Sequence, residues 1–364
     1  MFKKYRIIKW ILTAFTLIVA SLIVIGIYIA SLLPAEDGTL VNSQASDIAY
    51  ITKDVPVYRG KILAIVTSTD TMGTSGKGTG YELTELARAY YVFKANGFEV
   101  DIASPLGGKP PVVLDDDMGI FDYAFLNDSM AQSKTNNSLL LKDVKPELYE
   151  AVYFVGGKGA MFDFPNNRFI QALIQDFHKN NKVIGAVCHG PAAFVNVTLD
   201  DGQSFLKNKQ VSSFTNKEEL LLIPNAASVF PFLLQDELIS QGALFNEGIM
   251  YLERISHDNN LITGQNPWSV WAMAEAMVKQ IGYTPKHRVI TAEENAVKVL
   301  FAYETKGKED AEAVIKQIVE ENKQSVSRSL LVSHCAVSVI QGDLKKSYDL
   351  LRLASYVKDI ELNK

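Results

Sequence analysis

The sequence predicts an α/β protein: a doubly wound, flavodoxin-like parallel sheet with a nucleophile elbow, flanked by an N-terminal transmembrane helix and an all-α C-terminal extension. Three observations carry that expectation. Short, nearly all-apolar runs such as Lys61-Ile62-Leu63-Ala64-Ile65-Val66-Thr67 alternate with helical stretches, the pattern of parallel strands buried on both faces. One such run, Val183-Ile184-Gly185-Ala186-Val187, stops abruptly at Cys188-His189-Gly190-Pro191-Ala192, as a strand does when it turns sharply into a helix. Residues 10–35 are uncharged and apolar, and beyond Tyr283 and Pro285 the spacing becomes purely helical.

The elements follow in chain order. Lys3, Lys4, Arg6 and Lys9 precede an apolar run longer than the roughly 20 residues that cross a bilayer and the roughly 7–15 of a signal-peptide core. Residues 1–35 therefore read as a basic flank and one transmembrane helix. The flank stays in the cytoplasm, Glu36 and Asp37 follow on the far side, and the remainder is extracytoplasmic. The alternative is a long signal peptide cut near Ala30-Ser31, although no clean A-x-A site is present. Residues 36–59 are polar and aperiodic, as a linker lifting the domain off the membrane would be.

Residues 60–283 form the α/β domain. A strand from Lys61 leads through a glycine-rich loop to a helix over 81–96, Gly97, and a strand over 98–103. A strand over 151–155 ends at Gly156-Gly157, followed by a helix over 166–179 and the elbow strand over 182–187. Residues 252–262, with Asp258-Asn259-Asn260 at the centre, read as an added β-hairpin, and a helix over 269–281 closes the domain. Residues 284–364 hold four amphipathic helices, at about 292–304, 309–321, 325–340 and 344–357. Gly307 and Gly342 stand about one repeat length apart, as in a tetratricopeptide-like pair of hairpins. The plainer reading is a helical appendage on the main domain, a surface that could also serve a protein partner. Cys335 sits among apolar neighbours there and reads as structural.

At 364 residues the chain has room for about two domains. A net charge of −5 without a dense basic patch argues against a nucleic-acid partner. The two cysteines, Cys188 and Cys335, have no metal-ligand spacing and cannot build a disulfide framework.

Small residues at Ala186 and Gly190 let the elbow turn tightly and expose Cys188, and the following alanine-rich segment is expected to aim a helix N-terminus at the sulfur. With His189 adjacent, Cys188 is expected as a thiolate. The competing reading is a buried structural cysteine. A nucleophilic thiol needs an orienting acid or base and donors for a developing oxyanion. Glu85 starts the helix after the first strand, Gly156-Gly157 ends the third with N–H groups free for a ligand, and Glu219 follows Ser213-Phe214-Thr215, where it could orient an imidazole. Taken singly, each is as well read as a solvated helix end or an ordinary turn.

Taken together, these segments resemble the DJ-1/PfpI superfamily, specifically its Hsp31-like branch within the class I glutamine amidotransferase-like fold. The resemblance covers about 61–277. It rests on Thr79-Gly80 with Glu85-Leu86-Ala87, Ala103-Ser104-Pro105-Leu106-Gly107-Gly108, Gly156-Gly157-Lys158-Gly159-Ala160-Met161-Phe162-Asp163, Ala186-Val187-Cys188-His189-Gly190-Pro191, Ser213-Phe214-Thr215, and Leu261-Ile262-Thr263-Gly264-Gln265-Asn266-Pro267. It implies Cys188 as nucleophile, His189 as its base, Glu85 hydrogen-bonded to the cysteine, and Glu219 completing a Cys-His-Glu arrangement. Gly156, Gly157, Lys158 and Gly190 would line the oxyanion and substrate pocket. Relatives typically carry histidine where Lys158 stands and proline where Ala89 stands, so substrate preference is open. The resemblance further implies glutathione-independent conversion of methylglyoxal to lactate, removal of early glycation adducts, or holdase activity, on a small aldehyde or a modified protein. It requires no metal or organic cofactor, and dimerisation is common among similar proteins. An amidase or peptidase with the same nucleophile, and a membrane-tethered chaperone or redox sensor, remain alternatives.

Overall fold

The computed structural model describes residues 2–35, 37–115 and 118–362, with side chains from residue 9 onward. The charges of Lys3, Lys4 and Arg6, and all of Glu36, lie outside the described residues.

The chain divides into two compact units, one from Gly38 to Arg288 and one combining Met1–Asp37 with Val289–Lys364. The first is built on seven strands: β1 (Lys61–Ile65), β2 (Glu99–Ser104), β3 (Leu139–Leu140), β4 (Ala151–Phe154), β5 (Val183–Val187), β6 (Ile255–Asp258) and β7 (Leu261–Gly264). Their order across the sheet is β6-β7-β5-β4-β1-β2-β3, parallel throughout except for the antiparallel β6–β7 hairpin. That hairpin turns at Asn259, which has φ 53°, a conformation asparagine tolerates better than most residues. From β1 the chain winds outward to β2 and then returns to β4 on the other side. The switch point therefore lies between β1 and β4, where a ligand crevice opens beyond the carboxyl ends of the strands.

Strand alternation sorts the core into two layers. Ile62, Ala64 and Val66 of the first strand and its extension pack on one face with helices Leu83–Ala95 and Val270–Gln280. Leu63 and Ile65 pack on the other with helix Arg168–Lys179. Because both faces are covered, the strands read as continuous apolar runs. Gly185 of β5 allows helix Val270–Gln280 to come close, since a Cβ there would collide with the Met277 side chain.

Two expectations change. Residues 36–59 are not a free tether: they carry short helical turns whose Ile48, Tyr50 and Ile51 are buried in the first core layer, and Asn127 Nδ2 donates to the Val41 and Ser43 carbonyls at 2.9 Å. A polar average concealed three apolar anchors. The segment after the elbow is not a long α-helix either. It is a five-residue 3₁₀ turn, Gly190–Phe194, with Pro191 in its first turn. Helices Ile120–Asn127, Ser129–Asn136 and Leu234–Ser240 and the edge strand β3 add to the elements the apolar pattern revealed.

The second unit contains the apolar helix Phe2–Leu32, of which Lys9–Leu32 is long and apolar enough to cross a membrane. It also contains helices Ala292–Lys306, Lys308–Lys316 with a π turn Gln317–Glu321, Arg328–Ile340 and Leu344–Leu362. Gly307 (φ 97°) and Gly342 (φ 79°) turn the two hairpins in conformations that favour glycine. Cys335 is buried inside helix Arg328–Ile340, and burial pushes its thiol up.

Candidate active site

Cys188 stands one residue past β5 with φ 58°, a left-handed backbone that a side chain with a Cβ adopts only under constraint. Three features hold it there. The Cys188 N–H donates to Gly264 O at 3.0 Å, Phe214 N–H donates to Cys188 O at 2.9 Å, and a Cβ on Gly190 would collide with the Phe154 carbonyl. Gly190 thus lets the elbow sit down on β4 and does not line the cleft.

His189 Nδ1 lies 3.3 Å from Cys188 Sγ, and His189 Nε2 lies 2.5 Å from Glu219 Oε2. The ring is 2% exposed and packs at a tilt against Phe214 and Phe230, with centroids at 4.8 and 6.2 Å. Burial works against the Glu219 carboxylate, but His189 and then Lys158 outweigh it and hold the group below its usual range. An ionised Glu219 makes Nε2 the donor of the ring, which leaves Nδ1 as the acceptor facing the thiol.

Close to the sulfur is Glu85, fully buried, whose Oε1 has no hydrogen-bond partner among the described residues. Its Oε2 accepts from Gly156 N–H at 2.8 Å. Burial, reinforced by Glu82, pushes its carboxyl well above the usual range and so favours the protonated form. Burial likewise pushes the Cys188 thiol well up, with Glu85 and Glu82 adding to the effect and Lys158 opposing it. The expected resting thiolate is therefore corrected to a thiol. The sequence motif revealed an adjacent imidazole but could not show that the sulfur is buried between carboxyl groups.

The expected pocket residues also divide. Gly156 is no oxyanion donor, because its N–H is committed to Glu85. It is glycine because a Cβ would lie 2.7 Å from Val187 O and 2.8 Å from Cys188 Cβ. Gly157 has φ 106°, and a Cβ there would collide with the Gly80 carbonyl. The N–H groups of Gly157 and His189 have no acceptor among the described residues and are the ones available to an oxyanion. Lys158 lines the cleft with Cys188 and His189, and its ammonium has no hydrogen-bond or ion-pair partner among the described residues. The cleft measures 190 Å³, and Tyr251, Trp268, Glu82 and Arg88 complete its walls.

Sequence reasoning passed over two supporting groups. Arg88, one helical turn beyond Glu85, makes a buried ion pair with Asp122 at 3.1 Å. Glu218 is fully buried, and its Oε2 accepts from the Thr215 N–H and hydroxyl at 2.9 and 3.0 Å. Its Oε1 accepts from Tyr251 N–H, Gln265 Nε2 and Asn266 Nδ2 at 2.7, 2.9 and 3.0 Å. This carboxylate ties helix Asn216–Leu222, which presents Glu219, to the end of β7. The Thr215-x-x-Glu218 capping box was the available signal.

The sequence profile of the DJ-1/PfpI family matches residues 77–280. The chain is 30% identical over 241 residues to glutathione-independent glyoxalase hsp3101 of Schizosaccharomyces pombe, covering 60% of this chain and 95% of that protein. Among solved structures, Rapid Encystment Protein 24 KDa of Francisella tularensis superposes with a TM-score of 0.58 at 36% identity, covering 62% of this chain and all of that one. Glyoxalase III of Candida albicans gives a TM-score of 0.56 at 25% identity, covering 62% and 98% of the two chains.

Proposed function

The chain belongs to the DJ-1/PfpI family, and from that premise we propose that it is a cysteine-dependent, glutathione-independent glyoxalase that converts a small 2-oxoaldehyde such as methylglyoxal to the corresponding hydroxy acid. The observation that carries the reading is one sulfur held between two proton carriers of opposite character. Glu85, whose burial favours the protonated form, is the acid, and His189, backed by the Glu219 carboxylate, is the base. The small volume of the cleft fits a three- or four-carbon substrate.

In this mechanism the thiol is activated only as it reacts. His189 Nδ1 takes the Sγ proton while the sulfur bonds to the aldehyde carbon, and the carbonyl electron pair moves to oxygen, toward the N–H groups of Gly157 and His189. Protonation of that oxygen gives a hemithioacetal. Loss of the proton on the former aldehyde carbon and protonation of the neighbouring ketone oxygen give an enediol. A proton delivered to the second carbon, with loss of the hydroxyl proton on the sulfur-bearing carbon, then gives a thioester. Glu85 and His189 are the groups within reach to move these protons. Water attacks the thioester, the C–S bond breaks, and the hydroxy acid leaves as the thiol is restored. One carbon is oxidised as its neighbour is reduced, so no external redox partner is needed.

Turnover is tested with detergent-solubilised full-length protein, methylglyoxal and no glutathione, with lactate as the readout for wild type and Cys188→Ala. Lactate formation only by wild type is expected, and no lactate above the Cys188→Ala background overturns the reading.

We further propose that the Lys9–Leu32 helix anchors this enzyme in a membrane, with the α/β domain extracytoplasmic. A reporter fused after Lys364 tests the topology: a signal from the cytoplasmic side overturns it.

A further inference from the structure

The apolar helix changes environment at its last turn. From Trp10, 72% exposed, to Tyr28, 39% exposed, its large apolar side chains lie open, whereas Leu32 is 1% exposed. The cover comes from the C-terminal helices Arg328–Ile340 and Leu344–Leu362, which both pack against it. Arg328 Nη1 donates to Leu32 O at 2.8 Å and Lys358 Nζ donates to Ser31 O at 2.7 Å. Arg328 is held in turn by Glu361, at 3.4 Å. These two carbonyls belong to the final turn, whose C=O groups have no partner within the helix, and cations are the favoured groups at that end of the helix dipole.

The bare and covered segments also match the dimensions of a bilayer. Trp10 and Tyr28 are separated by about 27 Å along the helix, close to the roughly 30 Å of hydrocarbon, and aromatic residues favour the two interfaces. Ser31 and Leu32 then emerge at headgroup level, where the C-terminal helices cover Leu32 and bond to both carbonyls.

We propose that the C-terminal helical unit is a clamp on the emerging end of the membrane helix, which keeps that helix as part of the mature protein and seats the unit on the lipid headgroups. Cleavage beyond Leu32 would strip the clamp of both acceptors, and a cut at Ala30-Ser31 would remove the helix that holds them in place. The seating, though not the clamp itself, rests on the proposed membrane anchoring.

The test uses full-length protein in native membranes with a benzoylphenylalanine photocrosslinker at Leu33, which is exposed enough to accept it. Crosslinks into 328–362 and an intact N-terminus by mass spectrometry are expected. An N-terminus beginning at or beyond Ser31, or an absence of crosslinks to 328–362, overturns the clamp. Carbonate extraction separates the two readings: crosslinked protein released into the supernatant overturns the headgroup seating and leaves the clamp standing, whereas protein that stays in the membrane without crosslinks does the reverse. An Arg328→Gln, Lys358→Gln double variant should speed amide exchange at residues 29–33 at least tenfold with methylglyoxal turnover unchanged. Identical exchange in wild type and variant overturns the clamp.

Discussion

Glu85→Gln should make the α/β domain more stable while abolishing turnover. Burial favours the protonated form of Glu85 in the native protein, whereas in the unfolded chain it ionises near the ordinary glutamate pKa of about 4.3. Folding above that pH is therefore accompanied by proton uptake. The sign follows from linkage: the native state binds more protons than the unfolded one, so stability falls as pH rises from the unfolded pKa toward the native one. Each pH unit in that window costs about 1.4 kcal/mol. Glutamine mimics the neutral acid, accepts from Gly156 N–H and donates toward the sulfur, yet it carries no proton to lose. The stability gap between variant and wild type should widen as pH rises from about 5 to 7, by up to about 2.7 kcal/mol where Glu85 stays protonated throughout, which is up to about 5–11 °C in Tm for a domain of this size. Calorimetric melting at pH 5, 6 and 7 measures it, with lactate formation followed in parallel. A gap that stays constant with pH, or a Gln variant that melts below wild type, refutes the neutral-acid assignment.

Glu219→Gln keeps a hydrogen bond to His189 but removes the charge that stabilises the imidazolium, so kcat/KM should fall by about 5- to 30-fold, the difference between a charge-assisted and a neutral hydrogen bond. Unchanged steady-state kinetics would remove Glu219 from the relay. Lys158→Met removes the cation that lowers the Cys188 thiol, and the pH profile of iodoacetamide labelling at Cys188 should move upward; a superimposable profile would place Lys158 outside the sulfur's electrostatic reach. Gly156→Ala forces a methyl against Val187 O and Cys188 Cβ, and should cost about 1–3 kcal/mol in denaturant unfolding and lower turnover, since the strain falls on the nucleophile itself. A fully active, equally stable variant contradicts that geometry.

What the sequence revealed and what it withheld follow from the range of the forces involved. The strands at 61–65, 151–154 and 183–187 were legible because burial on both faces writes a local, nearly uninterrupted apolar code. The elbow was legible because a tight turn needs small residues beside the cysteine. The protonation of Cys188 was not, since it depends on Glu85 and Glu82, about a hundred residues away in the chain. The packing of residues 36–59 was equally hidden, because three apolar side chains suffice to dock a polar segment.

Glu218 and Glu219 show the limit most sharply. They are neighbours of the same residue type in the first turn of one helix, and nothing local distinguishes a carboxylate that steers a histidine from one that fixes the helix. Tertiary partners divide the work: Glu218 spends both oxygens on Thr215, Tyr251, Gln265 and Asn266, whereas Glu219 keeps one oxygen for His189. The first makes the second possible. The His189–Glu219 contact depends on where that helix sits, and five donors on one buried carboxylate hold the helix in place. The site's catalytic geometry is thus set as much by the Gln265-Asn266 segment at the end of β7 as by the elbow that first drew notice.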